Sequence, residues 1–343
     1  MNAPIRNAST TKMPLILAPP SCSPLQCVPA SAPAEALTDV KAVQALRERA
    51  VAEMQGWGAE AAAEAAALCD DLTLERFLQA RPEGVDEALK MLQHSCEWRV
   101  ARGTSRLFNE LHPNAPESLI RHRLARAHFY GGAGGSARDG TPYFVERLGA
   151  ADLAGYSREP ALLRLMLDAY VAHLELTFRT VRLHSAATGT LVKALMVIDA
   201  SGLSISTLRH LSIIKEAASL GPPNYPEGTK RVLVVNAPRF IAALWAVISP
   251  LLPARTRQKV SIISARHSTA ALDELIAPEE LPLFLGGRKP DAECAVAQAE
   301  PVPVGASASL FAEPLRPEGG VEGHEGENAQ SAASASVRVV AST

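Results

Sequence analysis

Glu227, Thr256 and Lys259 are the residues of this chain whose chemistry most calls for a partner. They frame one stretch. It begins Asn224-Tyr225-Pro226-Glu227-Gly228 and continues through a β-rich run from Arg231 to Pro238. An apolar segment from Arg239 to Leu252 (RFIAALWAVISPLL) follows, and then Thr256 and Lys259. An acid, a hydroxyl and a base are thus set around a long apolar helix candidate. A charge beside apolar surface needs a partner. A ligand with an apolar body and an anionic, polyhydroxyl head could supply one, which is the chemistry of a phospholipid such as phosphatidylinositol.

Other chemistries find less support. The glycine cluster Gly131 to Gly135 lacks the Gly-Lys-Ser/Thr ending of a phosphate-binding P-loop and runs into Asp139-Gly140 and a strand; it reads as a plain flexible loop. No G-x-S-x-G nucleophile elbow and no H-E-x-x-H zinc motif occur. Asp199 ends the strand ALMVID and reads as an acid that caps a loop or the next helix. His173 and His184 fall on a predicted helix as packed or polar-face residues. The five cysteines, Cys22, Cys27, Cys69, Cys96 and Cys294, show no zinc spacing, and no disulfide framework is expected. The expectation is no catalytic residue, no metal and no cofactor.

The elements that must position Glu227 and Lys259 can be read in outline. The chain has 343 residues, is 47% hydrophobic and carries a formal net charge of -2. That suits a globular protein with a substantial core and gives no basic signal for nucleic acid. No apolar run reaches the ~20 residues needed to span a bilayer. Residues 1–36 are rich in Pro, Ser, Ala and Thr, and residues 291–343 are Ala/Ser/Gly/Glu-rich and acidic; both read as disordered tails. A transit peptide is set aside because the first tail has many prolines and no Arg-rich amphipathic pattern. Residues 37–112 read as a helical module, with Leu37 to Cys69 helical, Asp70-Asp71 capping LTLERFLQAR, and a helix led by Asp86. Residues 113–290 change pattern after Pro113 and Pro116. Strand-like runs at Tyr143–Leu148, Ala194–Ile198, Val232–Val235 and Val260–Ile263 alternate with helical segments at Leu162–Leu183, Leu208–Leu220 and Ile241–Leu251. That alternation predicts an α/β domain with a largely parallel or mixed sheet.

A protein that carries a phospholipid through water must replace the bilayer. Each buried methylene contributes about 0.8 kcal/mol, so two acyl chains represent roughly 20 kcal/mol of apolar transfer. The segment Phe240 to Leu252 is apolar on nearly all faces, with Trp245 at its middle. Such a helix is either an ordinary core helix or the cover of an apolar cavity.

A series of fragments now carries a resemblance. These are DDLTLERFLQAR (Asp70–Arg81), CEWR (Cys96–Arg99), DGTPYFVERLG (Asp139–Gly149), IDASGLSIS (Ile198–Ser206), NYPEGTKRVLVVNAP (Asn224–Pro238), SPLLPARTRQKVSII (Ser249–Ile263) and PEELPLFLGG (Pro278–Gly287). In order and spacing they resemble the CRAL-TRIO lipid-binding family, in the branch of the yeast phosphatidylinositol/phosphatidylcholine transfer protein, over about Asp70 to Gly287. The resemblance implies a mixed sheet flanked by helices, an apolar lipid pocket with a gate helix, and a small all-helical module ahead of it. It places headgroup binding on Arg81, Glu227, Thr256 and Lys259. Lys259 would give a point charge for phosphate, and Thr256, three residues earlier, shares its face if the segment is helical. Glu227 would accept from inositol hydroxyls or hold Lys259 in place. The plainer alternative is a surface Glu227–Lys259 salt bridge of little worth. The gate helix and acyl pocket fall on Phe240, Leu244, Trp245, Ile248 and Leu251.

The chain also departs from that pattern. The phosphatidylcholine branch carries small hydroxyls where this chain has Ala194 and Met196, and tyrosines where it has Phe144 and Ala172. Pro82 replaces a basic residue after Arg81. The resemblance therefore implies a retained phosphatidylinositol site and a dismantled phosphatidylcholine site. The resulting expectation is a monomeric, cytoplasmic phosphatidylinositol transfer protein that docks transiently on anionic membranes and catalyses no bond change. Its rivals are a carrier of a tocopherol, retinoid or sterol, and a non-transferring lipid sensor or scaffold.

Overall fold

The computed structural model describes residues 39–111 and 131–291. The predicted tails, apart from Asp291, and the segment around Pro113 and Pro116 lie outside the described residues.

Among the described residues five helices come first: α1 (Val40–Glu53), α2 (Ala59–Leu68), α3 (Asp71–Ala80), α4 (Val85–Arg102) and α5 (Thr104–Leu111). Within the predicted helical stretch Leu37 to Cys69 the described residues form two helices, separated by a 3-10 turn and by Gly58 at φ 89°, a conformation that glycine adopts without a Cβ penalty. Asp70 caps α3 as its sequence position predicts. Its carboxylate accepts from the Thr73 amide at 2.8 Å and the Thr73 hydroxyl at 2.7 Å.

The sheet has five strands in the order β1 (Gly131–Ser136), β2 (Pro142–Glu146), β3 (Ala194–Asp199), β4 (Thr229–Ala237) and β5 (Val260–Ser264). β1 pairs antiparallel with β2, and β2 to β5 run parallel. The parallel crossovers are helical, as that pairing requires. α6 (Leu153–Arg158) and the long α7 (Pro160–Thr188) join β2 to β3. α8 (Leu211–Asn224) joins β3 to β4, and α9 (Ile241–Ile248) with α10 (Ala254–Gln258) joins β4 to β5. α11 (Ala265–Asp273) closes the domain.

Two expectations are corrected. Gly131 to Gly135 is a strand and not a loop. Five residues without apolar alternation carry no strand signal. Yet a Cβ at Gly134 would lie 2.0 Å from the buried Tyr143 ring, so bare backbone is what allows β1 to pack there. The helix read as Ile241–Leu251 ends at Ile248, and Ser249–Leu251 forms a 3-10 turn around Pro250, which cannot donate a helical N–H.

Alternation of side chains along the strands divides the core. Tyr143, Val145, Leu195, Val197, Leu233 and Val235 pack on one face, under Leu272 of α11 and the buried Leu281 and Leu285. On the other face Phe144, Ala194 and Met196 join a core that runs without a break into α1 to α4. The helical module and the sheet thus share apolar interior, and residues further along this second face line a cavity.

Candidate functional site

The cavity has a volume of about 390 Å³. Its floor is the second sheet face, with Met196, Ile198, Val232, Val234, Val260 and Ile262. α7 supplies one wall through Leu174 and Phe178, and α8 another through Ile213, Ile214 and Ala217. α9 covers it with Ile241, Leu244, Trp245 and Ile248. Ile241, Leu244 and Ile248 recur at helical spacing and are buried, while Ala242, Ala243 and Ala246 on the outer face are small and exposed. Of the five residues assigned to a gate helix and acyl pocket, Leu244, Trp245 and Ile248 line the cavity. Phe240 and Leu251 do not line the cavity: Phe240 is the residue before the first turn of α9, and Leu251, in the 3-10 turn beyond its end, is 48% exposed. The turn at Pro250 rotates Leu251 off the inner face.

Arg81, Glu227, Thr256 and Lys259 all line this cavity. Their carriers come from three places in the sequence. Arg81 ends α3, Glu227 lies in the turn before β4, Thr256 is in α10, and Lys259 ends α10 and leads into β5. α10 is helical, so Thr256 and Lys259 are neighbours on it, and the Lys259 amide donates to the Thr256 carbonyl at 3.1 Å. Glu227 and Lys259 are brought into direct contact, with Nζ 2.7 Å from Oε2. The pair is not an exposed surface bridge: the side chains are 8% and 21% exposed.

Glu227 is held in an unusual backbone conformation, φ 47°, which a non-glycine residue adopts at a cost of order 1–3 kcal/mol. The buried Arg76 of α3 fixes it, donating to the Glu227 carbonyl at 2.8 Å, to the Val192 carbonyl at 2.6 Å and to the Ser185 hydroxyl at 2.9 Å. Lys193, one residue ahead of β3, reaches Glu227 Oε2, the atom that Lys259 contacts, at 3.4 Å. Arg255 lines the cavity beside these groups and donates to the Gln79 carbonyl at the end of α3. Burial alone would raise the Glu227 carboxyl, but the hydrogen bond and charge of Lys259, with Lys193 and Arg255 behind it, hold it below the usual carboxylate value. The site is an ionised acid among an excess of cations, at the edge of an apolar chamber.

Arg76 and Lys193 are missing from the sequence reading. Their signals were a charged residue on the buried face of an amphipathic helix, between Thr73 and Phe77, and a lysine at the start of a buried strand.

A second buried network lies behind the cavity. Arg99 of α4 grips Glu175 of α7 through two hydrogen bonds of 2.8 and 2.7 Å, and Arg179 adds a third at 2.6 Å. Glu64 of α2 accepts from Arg99 Nε at 2.8 Å. The Arg99 guanidinium also lies 5.7 Å from the centre of the Tyr225 ring, which lines the cavity.

Asp199 serves its own loop: it accepts from the Ser201 amide and hydroxyl at 3.0 and 2.8 Å, and from Asn236 at 2.9 Å. His173 and His184 are packed in the interior. Among the described residues no group of three or more His, Cys, Asp or Glu side chains is placed to hold a metal ion, and no helix is long and apolar enough to cross a membrane.

Comparison with known proteins agrees with this architecture. The CRAL/TRIO domain profile matches residues 128–287. The Protein real-time of Anopheles gambiae is 30% identical over 229 residues, 64% of this chain and 31% of the relative. The Sec14 cytosolic factor of Schizosaccharomyces pombe is 27% identical over 220 residues, 64% of this chain and 74% of the relative. The phosphatidylinositol/phosphatidylcholine transfer protein SFH9 of Arabidopsis thaliana is 26% identical over 219 residues, 63% of this chain and 36% of the relative. The chain thus spans about a third of the length of the real-time proteins it matches. Residues 128–287, which hold the five-stranded sheet, thus match a CRAL/TRIO domain, and the chain is similar to the Sec14 proteins over about 64% of its length.

Proposed function

We propose that the protein binds a phospholipid in this cavity, with phosphatidylinositol as the ligand, and carries it between membranes or presents it to lipid-modifying enzymes without changing a bond. The observation that carries the proposal is the Glu227–Lys259 pair on the wall of an otherwise largely apolar chamber. Acyl chains would take the apolar part. Lys259, with Arg81 and Arg255 nearby on the same wall, would take the phosphate, and Glu227 and Thr256 would take inositol hydroxyls. The likeness to SFH9, a phosphatidylinositol/phosphatidylcholine transfer protein, supports this ligand class.

The division into a helical module at 37–112 and a lipid-binding domain at 113–290 belongs to this proposal, with α3 of the module lending Arg81 and Arg76 to the site. So does a cytoplasmic monomer that docks on anionic membrane. Arg239, just ahead of α9, and Arg257 of α10 are both exposed, as is Leu251 between them in the sequence. Each such arginine would contribute on the order of 1 kcal/mol near an anionic surface.

Lipid extraction and mass spectrometry of the purified full-length protein test the ligand. Phosphatidylinositol should dominate. A tocopherol, retinoid or sterol in its place would replace this proposal. Transfer between donor and acceptor vesicles separates a carrier from a sensor, since a sensor binds phosphatidylinositol without moving it.

A further inference from the structure

Glu227 presents one carboxylate oxygen to two ammonium groups. Lys259 Nζ lies 2.7 Å from Oε2 and Lys193 Nζ lies 3.4 Å from the same atom. The two lysines differ in what else they meet. Lys259 lines the cavity, and Lys193 does not. Lys193 donates instead to Gln79 Oε1 at 3.0 Å, at the end of α3. Its side chain is 11% exposed against 21% for Lys259. One cation therefore faces the ligand space and the other stands behind the acid. Other charged groups nearby include Arg255 and Arg81 on the cavity wall, Arg76, which holds the Glu227 carbonyl, and Glu75, which accepts from Gln79 Nε2 at 3.0 Å.

An anion that binds Lys259 must compete with Glu227 for it. Were Lys259 the only ammonium at this acid, handing it to a phosphate would leave a largely buried carboxylate facing an anion, which is strongly unfavourable. A second ammonium on the far side removes that conflict. Glu227 stays neutralised and ionised while Lys259 turns to the phosphate. Glu227 Oε1, to which no group donates among the described residues, is then available to a headgroup hydroxyl.

We infer that Lys193 is a positioning residue of the headgroup site, the cation that holds Glu227 when Lys259 is given over to the phosphate of the ligand. This rests on the phospholipid reading above and adds to it the way the acid and the anion coexist.

The test loads full-length protein from phosphatidylcholine vesicles that contain phosphatidylinositol, and measures bound phosphatidylinositol between about pH 7.5 and about pH 5, approaching the carboxylate range from above. Wild-type loading should be nearly flat. Lys193→Met should load about tenfold less at neutral pH, the loss expected for one charge-assisted contact. Its loading should recover on acidification. With the rear cation gone, Glu227 beside the bound anion takes up a proton, so lowering the pH favours the bound state. Lys193→Arg should behave as wild type. Adding Glu227→Gln to Lys193→Met should restore loading at neutral pH and remove the slope, because the uncompensated charge is gone.

Wild-type loading by Lys193→Met overturns the inference. So does a uniform loss with no pH slope and no rescue by Glu227→Gln, which would make Lys193 a structural brace only. Failure of the underlying phospholipid reading has a different mark: wild type itself takes up no phosphatidylinositol, or Lys259→Ala loads normally, and the inference then falls with it.

Discussion

Two buried ion networks join the first helices to the α/β domain, and they are built in opposite ways. Around Glu175 both oxygens are engaged: Arg99 takes one each with its two terminal nitrogens, and Arg179 adds a further bond. The Arg99 and Glu175 side chains are 4% and 1% exposed, their backbones are ordinary helix, and the pair faces no open space. Around Glu227 one oxygen takes both lysines, the backbone is left-handed, and the partner Lys259 looks into a cavity. A saturated network is a fastener. An unsaturated one with surplus cations and a strained backbone has capacity left for something else. Burial alone would not separate them; the count of satisfied lone pairs does.

The largest effect is expected from breaking the fastener. Glu175→Ala leaves Arg99 buried without its main partner, and about 3–5 kcal/mol of stability should be lost. Chemical denaturation would measure it. A change below about 1 kcal/mol would place Glu175 with the surface bridges and erase the contrast.

Headgroup choice comes next. Phe144 and Ala194 are buried, and Met196 lies on the cavity floor, so these three side chains offer no hydrogen bond to a phosphocholine phosphate. Phosphatidylcholine should transfer at least about tenfold more slowly than phosphatidylinositol, the equivalent of one missing charge-assisted contact. Equal rates in a vesicle assay would show that the polar groups near Glu227 do not select the headgroup.

The gate gives a graded response. Trp245 lines the cavity from α9, so its fluorescence should shift when anionic vesicles open the helix onto the membrane interface, against the background of Trp57 and Trp98. Trp245→Phe should remove the shift and leave the fold intact. Trp245→Asp should slow transfer of every lipid without altering headgroup preference. Simple unfolding of Trp245→Asp would make α9 ordinary core.

The smallest effect is the acid limb of stability. Burial acts to raise the Glu175 carboxyl, but Arg99 and Arg179 outweigh it and hold it below the usual value. A group with a folded value below its unfolded one contributes fully above the unfolded value, and that contribution is lost as pH falls through the folded one. Thermal midpoints should therefore hold down to the ordinary carboxylate range and drop below it. The drop should be shallower in Glu175→Gln.

Much of this was legible in the sequence. The parallel strands announced themselves as short apolar runs, α7 as a long periodic segment, and Asp70 as a cap before LTLERFLQAR. Glu227 and Lys259 stood out because each flanks apolar sequence. Three features were not legible, and for physical reasons. The strand β1 is mostly glycine, extended by pairing with β2 and by room for the Tyr143 ring against its bare backbone. Arg76 acts on a carbonyl 151 residues away, a contact that no local pattern encodes. Lys193 meets Glu227 only because β3 and β4 are adjacent in the sheet, with Ala194 opposite Thr229. Leu251 was misplaced because apolar composition says nothing of where a proline ends a helix.

The most direct measurement is Lys259→Ala followed in two ways at once, by phosphatidylinositol loading and by denaturant unfolding. Glu227 keeps Lys193 when Lys259 is removed, so stability should change by less than about 1 kcal/mol. Loading should fall more than about tenfold, as a charge-assisted contact of roughly 1.5–3 kcal/mol is lost from the ligand. Normal loading, or a loss of stability as large as that of Glu175→Ala, would contradict the account and make the Glu227–Lys259 pair a second fastener.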